Sequence, residues 1–198
     1  MFRFFETIKI VDGEIKHLDF HQKRVDETII SNYKENSNII LKNLINIPYE
    51  FRFGIVKCRF DYNSNSFCSH FTKYIIKPIN SLKLVKNDCI DYSFKHTDRS
   101  KIDKLLELKE DCDDIIIVRK NKITDTSISN LIFFDGKKWI TPDSPLLNGT
   151  CRQRLIKQGR IETKPVFMED LYNYKAVSLI NSMRGDNLEN TIDISAIK

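Results

Sequence analysis

Phe94-Lys95-His96-Thr97-Asp98-Arg99-Ser100 stands near the middle of the chain, at the start of the one clearly helical run of its second half. Ile102, Leu105, Leu106 and Leu108 are the apolar residues of that run, expected over 99–110 with Thr97 or Asp98 as its cap. A lysine ahead of a helix is ordinarily a solvated charge. What sets Lys95 apart is its company. Three polar pieces follow downstream: Ile123-Thr124-Asp125-Thr126-Ser127-Ile128-Ser129-Asn130, Leu147-Asn148-Gly149-Thr150-Cys151-Arg152-Gln153 and Leu179-Ile180-Asn181-Ser182-Met183-Arg184-Gly185. Upstream, His21-Gln22-Lys23-Arg24 falls in the first helix the pattern allows.

Around these pieces strands and helices alternate. Residues 2–10 are aromatic and β-branched, Asp12-Gly13 is a hairpin turn signal, and 14–18 is the return strand. Val25, Ile29 and Tyr33 share one face of a helix over 20–33, capped by Asp19; a short helix over 39–45 follows and ends at Pro48. Strands over 50–59 and 67–76 flank the turn-rich Asp61-Tyr62-Asn63-Ser64-Asn65-Ser66. Residues 78–86 read as a short linker and 89–94 as extended. Ile115-Ile116-Ile117-Val118 is a buried strand, Asn121-Lys122 a turn, and 123–124 and 129–134 are strands. Asp135-Gly136 turns into a return strand over 138–141. A two-proline loop, a helix over 150–159, a helical turn at 169–172, a strand over 175–181 and a ragged end over 187–194 complete the chain. The expected class is α+β, in two small units divided as 1–82 and 83–198.

With 198 residues, 41% hydrophobic and 30% charged, the chain has an ordinary globular balance and length enough for a sizeable core. A net charge of +5 is mild, and no basic stripe interleaves with aromatics, so nucleic acid is not an expected partner. The five cysteines, Cys58, Cys68, Cys89, Cys112 and Cys151, are odd in number and form no CxxC pair. Neither a disulfide framework nor a metal site is expected from them, and free thiols point to a reducing cytoplasm. The first residues are charged too soon for a secretory signal, and no apolar run approaches the ~18 residues of a membrane span.

Lys95, Asp125 and the Gly149 turn together suggest one kind of chemistry. An enzyme using pyridoxal phosphate needs a lysine amine for the cofactor's aldehyde, a carboxylate beside the pyridine nitrogen, a seat for the phosphate and an open face for substrate. Lys95 suits the first role and Asp125, in a polar bend between strands, the second. Asn130, five residues on, would pin that bend. Asn148-Gly149-Thr150-Cys151 runs straight into a helix, whose first amides point toward an anion. Asn181-Ser182 adds an amide and a hydroxyl, and Arg24 a guanidinium fork. Arg59 could meet a substrate carboxylate, while Glu6 and Thr7 are the first strand's candidates for a proton relay. Each also has a plain structural reading, such as a turn aspartate bonding its own backbone.

In this order the pieces resemble the class IV aminotransferases, the fold-type IV pyridoxal-phosphate enzymes. These include branched-chain and D-amino-acid aminotransferases and 4-amino-4-deoxychorismate lyases. The resemblance covers nearly the whole chain. Phe5-Glu6-Thr7-Ile8 with Asp12-Gly13 is similar to the family's opening strand and turn, and His21-x-x-Arg24 to the segment whose arginine binds the phosphate. Lys95-His96-x-x-Arg99 and Asn148-Gly149-x-x-Arg152-Gln153 are most similar to the lyase. Thr124-Asp125 with Asn130-Leu131 resembles the family's Thr-Glu with its asparagine, and Asn181-Ser182 its last phosphate loop. The resemblance implies a two-domain, D-amino-acid aminotransferase-like fold with a trimmed N-terminal domain, since some two dozen residues the family usually has before its Phe-Glu-Thr strand have no counterpart. It further implies pyridoxal 5'-phosphate as cofactor, the amides of Thr150 and Cys151 on its phosphate, a homodimer, and a small amino substrate that is transaminated or loses pyruvate. The family's glutamate is here Asp125, one methylene shorter, so its loop must sit closer or a water must bridge. That change and the trimmed N-terminal domain motivate an alternative, a cofactor-binding homologue without turnover.

Overall fold

The computed structural model describes residues 2–186, 188 and 190–198. Its contacts divide it into two units, Met1–Ile76 with Phe94–Asp98, and Lys77–Ser93 with Arg99–Lys198. The division thus falls at 76/77 rather than 82/83, and the Lys95 segment returns to the first unit.

The first unit is a four-stranded antiparallel sheet with helices on one face. Strands β1 (Phe4–Val11), β2 (Glu14–Ile15), β3 (Ile55–Tyr62) and β4 (Phe67–Lys73) are ordered β2-β1-β3-β4. Asp12 and Gly13 both have positive φ, 48° and 80°, as the tight β1–β2 turn requires. Alternation sends Phe4, Ile8 and Ile10 of β1, and Val56, Cys58 and Phe60 of β3, into one core. Val25 and Ile29 of helix α1 (Leu18–Tyr33) and Leu41 of helix α2 (Leu41–Leu44) close it. Asp19 is not the cap of α1. His17 precedes the helix with φ 54° and makes no side-chain cap, and Asp19 lies in the first turn, where its charge favours the helix dipole. Residues 50–59 are not one strand either. Tyr49–Phe51 is a 3-10 turn, and β3 starts only after Gly54, whose φ of 74° breaks the extension.

Phe94–Asp98 joins β1 as a short edge piece. Phe5 N donates to Lys95 O at 3.0 Å, Thr97 N to Arg3 O at 3.0 Å, and Phe4 bridges His96. Thr97 does not cap the next helix, because its hydroxyl donates to Phe2 O at 2.9 Å.

The second unit has two sheets. The expected linker is strand β5 (Leu82–Lys86), paired parallel with β6 (Asp114–Arg119), which pairs antiparallel with β7 (Lys122–Ile123). The chain end lies along β5: Leu84 N donates to Lys198 O at 2.7 Å and Lys198 N to Leu82 O at 2.8 Å. Helix α3 (Ser100–Leu106) and a 3-10 turn (Glu107–Lys109) occupy the expected 99–110 run. The larger sheet is β10-β9-β8-β11-β12. Its strands are β8 (Asn130–Phe134), β9 (Trp139–Pro142), β10 (Glu162–Lys164), β11 (Ala176–Ile180) and β12 (Ile192–Asp193), with helix α4 (Thr150–Lys157) crossing between the parallel β9 and β10. Of the expected ragged end, Ile192 and Ile194 enter the core around Leu82, Phe133 and Val177, as does Ile197; Asn187 and Glu189 lie outside the described residues. Among the described residues no helix is long and apolar enough to cross a membrane.

Candidate cofactor site

Lys95 is half-buried, and its Nζ lies 4.6 Å from the centroid of the Phe5 ring. The His96 ring packs on Phe4 with centroids 4.9 Å apart, which fixes the backbone on the far side of Lys95. Arg59 shares the Phe5 ring with its Cζ at 4.1 Å, and its guanidinium forks onto Asp61: Nε donates to both oxygens at 2.9 Å and Nη2 to Oδ1 at 2.7 Å. Thr7 lies on this same outward face, because it pairs directly with Arg59.

Glu6 points the other way, into the core, and is fully buried. Arg24 donates Nε to Glu6 Oε1 at 2.8 Å and Nη2 to Oε2 at 2.5 Å. His21 Nδ1 meets Oε2 at 2.6 Å, and because an ionised carboxylate only accepts, that nitrogen carries the proton. Burial pushes the Glu6 carboxyl up, but the Arg24 charge and the His21 hydrogen bond outweigh it and hold the pKa at about 2. Burial lowers the His21 pKa against the pull of Glu6, so the ring is neutral. Arg24, expected on a phosphate, therefore has a carboxylate partner within its own unit. His21, named in the His21-x-x-Arg24 pattern but given no role there, is the third partner, and its place three residues before Arg24 puts both on one helical face.

In the second unit Asp125, Asn130 and the turn before α4 form one clamp. Thr124 and Asp125 run beside β6, with Ile117 N donating to Asp125 O at 2.9 Å. The Asp125 side chain accepts from Asn130 Nδ2 at 2.8 Å on one oxygen and from Leu147 N at 2.8 Å on the other. Asn130 Nδ2 also donates to Leu147 O at 2.8 Å. A β-carbon on Gly149 would overlap Asn130 Oδ1, so glycine is what lets the turn close on the asparagine. The Leu147 loop thus closes on the Asp125 carboxyl. Burial raises the Asp125 pKa to about 6, against the lowering effects of the Leu147 amide, Asn130 and the more distant Arg152 charge.

Helix α4 begins with no side-chain cap at Gly149, and the amides of Thr150 and Cys151 open it. The Cys151 side chain turns inward, its Sγ donating to Gly185 O at 3.3 Å, and burial pushes the thiol up to about 11. Arg152, to which the sequence pattern gave no role, is a strut: Nε donates to Thr141 Oγ1 at 3.2 Å, Nη1 to Asn148 Oδ1 at 3.0 Å and Nη2 to Pro142 O at 2.9 Å. Asn181 folds the turn after β11, accepting on Oδ1 from Met183 N at 2.9 Å and Arg184 N at 2.8 Å. Its Nδ2 donates to Ser129 Oγ at 2.9 Å, which ties that turn, with Ser182 in it, to the Asp125 bend.

Amino-transferase class IV matches residues 81–185, more than half of the chain. The chain belongs to the class IV aminotransferase family. An uncharacterized protein of Haemophilus influenzae is 38% identical over 187 residues, covering 93% of this chain and all of that one. The crystal structure of a candidate 4-amino-4-deoxychorismate lyase from Haemophilus somnus is 39% identical, with a TM-score of 0.88 over 93% of this chain and 98% of that one. A hypothetical aminotransferase from Mycobacterium tuberculosis, solved in a form with pyridoxal phosphate bound, gives a TM-score of 0.74 over 99% of this chain and 81% of that one. At 13% identity that likeness is one of fold alone. The two-domain α+β fold of the family is thereby established for this chain.

Class IV aminotransferases are pyridoxal-phosphate enzymes, and the residues present fit that group. Asp125 is a buried carboxyl met only by neutral donors, an environment that a pyridinium would complete. The uncapped α4 start suits a phosphate. Nothing in these likenesses supports the reading of a homologue without turnover.

Proposed function

We propose that this protein is a pyridoxal-phosphate enzyme of a small amino substrate, acting as a 4-amino-4-deoxychorismate lyase that releases pyruvate and leaves p-aminobenzoate. The observation that carries the cofactor reading is Asp125, buried with its pKa raised to about 6 and held by Asn130 and the Leu147 amide. Pyridoxal phosphate supplies an aldehyde that condenses with amines and a ring that accepts electrons when its nitrogen is protonated. Lys95 Nζ would hold the cofactor by its aldehyde and, as a free amine, would move the proton that must leave and rejoin carbon. Asp125 would keep a proton on the ring nitrogen. The amides of Thr150 and Cys151, the Asn181-Ser182 turn and the Arg24 guanidinium would hold the phosphate, while Asn130 fixes the Asp125 bend. Thr7 and Arg59 face substrate, and Glu6 acts through Arg24.

The lyase is preferred because the 39%-identical relative is described as one and because Lys95-His96-x-x-Arg99 and Asn148-Gly149-x-x-Arg152-Gln153 are closest to the lyase. Transamination is the second reading, favoured by the family itself. The proposal includes a cytoplasmic homodimer, with the unpaired Cys58, Cys68, Cys89, Cys112 and Cys151 in keeping with a reducing compartment. The test is to supply cofactor-loaded protein with 4-amino-4-deoxychorismate and measure pyruvate and p-aminobenzoate together. Equal amounts of both are expected. Amino-group exchange between amino and keto acids, without pyruvate release, would select the second reading.

A further inference from the structure

The bend that carries Asp125 is a loop whose tip is held from outside. Asp125 bridges Asn130, Thr126 N donates to Ser129 O at 2.8 Å, and Ser129 N donates to Thr126 Oγ1 at 3.1 Å. These bonds use the groups that face into the bend. Ser127, at the tip, is nonetheless buried, at 6% exposure, whereas loop tips are ordinarily solvated. Its backbone N–H and C=O therefore need partners. The N–H lies 3.4 Å from Asp114 Oδ1, a long contact to an oxygen that also accepts from Ile115 N at 2.8 Å. The C=O accepts from Arg99 Nη2 at 2.9 Å. Arg99 stands in the Lys95-His96-x-x-Arg99 pattern, and the chemistry above gives it no task. It is the residue that precedes α3, and its own carbonyl accepts from Asp103 N at 2.9 Å, so the guanidinium extends from a fixed base. The Asp103 carboxylate is 3.6 Å away and mostly exposed, a weak ion pair. Tyr92 lies 6.0 Å from Cζ, at the limit of a cation–π contact. Of these partners the Ser127 carbonyl is the closest, and a charged donor makes that hydrogen bond a strong one.

We propose that Arg99 is a positioning residue for the cofactor ring: by holding the Ser127 carbonyl it sets the bend that carries Asp125. The proposal rests on the cofactor reading of Asp125 and adds the residue that aims it. Asp125 lies two residues before Ser127, and Asn130 and the Leu147 amide hold its side chain. Those bonds fix the carboxyl against the Leu147 loop. The contact at Ser127 fixes the backbone from which the carboxyl projects. With that contact gone, the tip is left with the long Asp114 contact and the carboxyl can swing from its line. A charge that must meet one ring atom tolerates little misplacement, so its supporting contacts decide how well it works.

The test measures, by equilibrium dialysis with the full chain, the affinities for pyridoxal phosphate and for an analogue with C–H in place of the ring nitrogen. The parent is expected to bind pyridoxal phosphate about tenfold more tightly or better, because the analogue offers Asp125 no nitrogen to meet. Arg99→Gln should lose most of that preference by weakening pyridoxal phosphate while the analogue binds as before. Arg99→Lys keeps a charged donor and should recover part of the preference; as the milder change it carries the test should Arg99→Gln not fold. Asp103→Asn removes only the exposed ion pair and should keep the preference whole. A role in folding alone would lower the Tm, or weaken both ligands alike, and leave the preference intact in both Arg99 variants. That result would overturn the proposal while the cofactor reading stands. No preference in the parent would overturn the cofactor reading of Asp125, and the proposal with it.

Discussion

Glu6 and Asp125 are both fully buried carboxyls, yet their pKa values lie at about 2 and about 6. The difference is the company each keeps: a guanidinium and an imidazole against an amide and a backbone N–H. The signs for stability are opposite. Glu6 has its folded pKa depressed, so its contribution is present above its ordinary pKa of 4.5 and is lost as pH falls toward 2. Asp125 has its folded pKa raised, so the cofactor-free protein loses stability, on the order of 3 kcal/mol, as pH climbs from about 4 to about 6. Asp125→Asn should therefore flatten that part of the stability profile, as read by urea midpoints from pH 4 to 7. In the loaded enzyme the same change should cut turnover by ~10²-fold, because a charge aimed at the reacting ring is lost. An unaltered pH profile in Asp125→Asn would assign the titration elsewhere. Glu6→Gln should cost about 3–5 kcal/mol at pH 7 by leaving Arg24 buried without its counter-charge, and the deficit should narrow as the pH is lowered.

At the scale of elements, the sequence made some of this legible and hid the rest. The Asp12-Gly13 hairpin, the apolar run of β6 and the helix after Gly149 follow from local chemistry, and the structure has all three. Strand β5 was obscured because lysines occupy two of its five positions and only its pairing with β6 and the chain end makes it a strand. Asn130 was readable as the pin of the Asp125 bend; that it also closes on Leu147 and Gly149 was not, because the partners are 17 and more residues away. The Asp125 bend and the turn before α4 are thus one mechanical unit. Gly149→Ala should push Asn130 off its partners, costing about 1–3 kcal/mol of stability and lowering cofactor affinity. Adding Asn130→Ser should recover part of the stability by making room, without restoring affinity. Additive effects of the two changes in a double-mutant cycle would rule out the shared contact.

At the scale of the whole molecule, the chain's last residues complete the second unit's core: Ile192, Ile194 and Ile197 are all buried, and Lys198 hydrogen-bonds along β5. Deletion of 192–198 should lower the Tm markedly, because three buried isoleucines are worth roughly 1.5–3 kcal/mol each; a Tm unchanged by the deletion would contradict that packing. The two units with their separate cores, and the return of Phe94–Asp98 to the first, set Lys95 on the Phe5 face of a rigid sheet while the Asp125 clamp belongs to the other unit. The central claim, that Lys95 bears pyridoxal phosphate, is tested most directly by the absorption spectrum of the protein incubated with the cofactor, before and after borohydride, followed by peptide mapping. The account predicts a visible band that disappears on reduction and a phosphopyridoxyl group fixed to Lys95. An adduct on any other lysine, or no band at all, would contradict it.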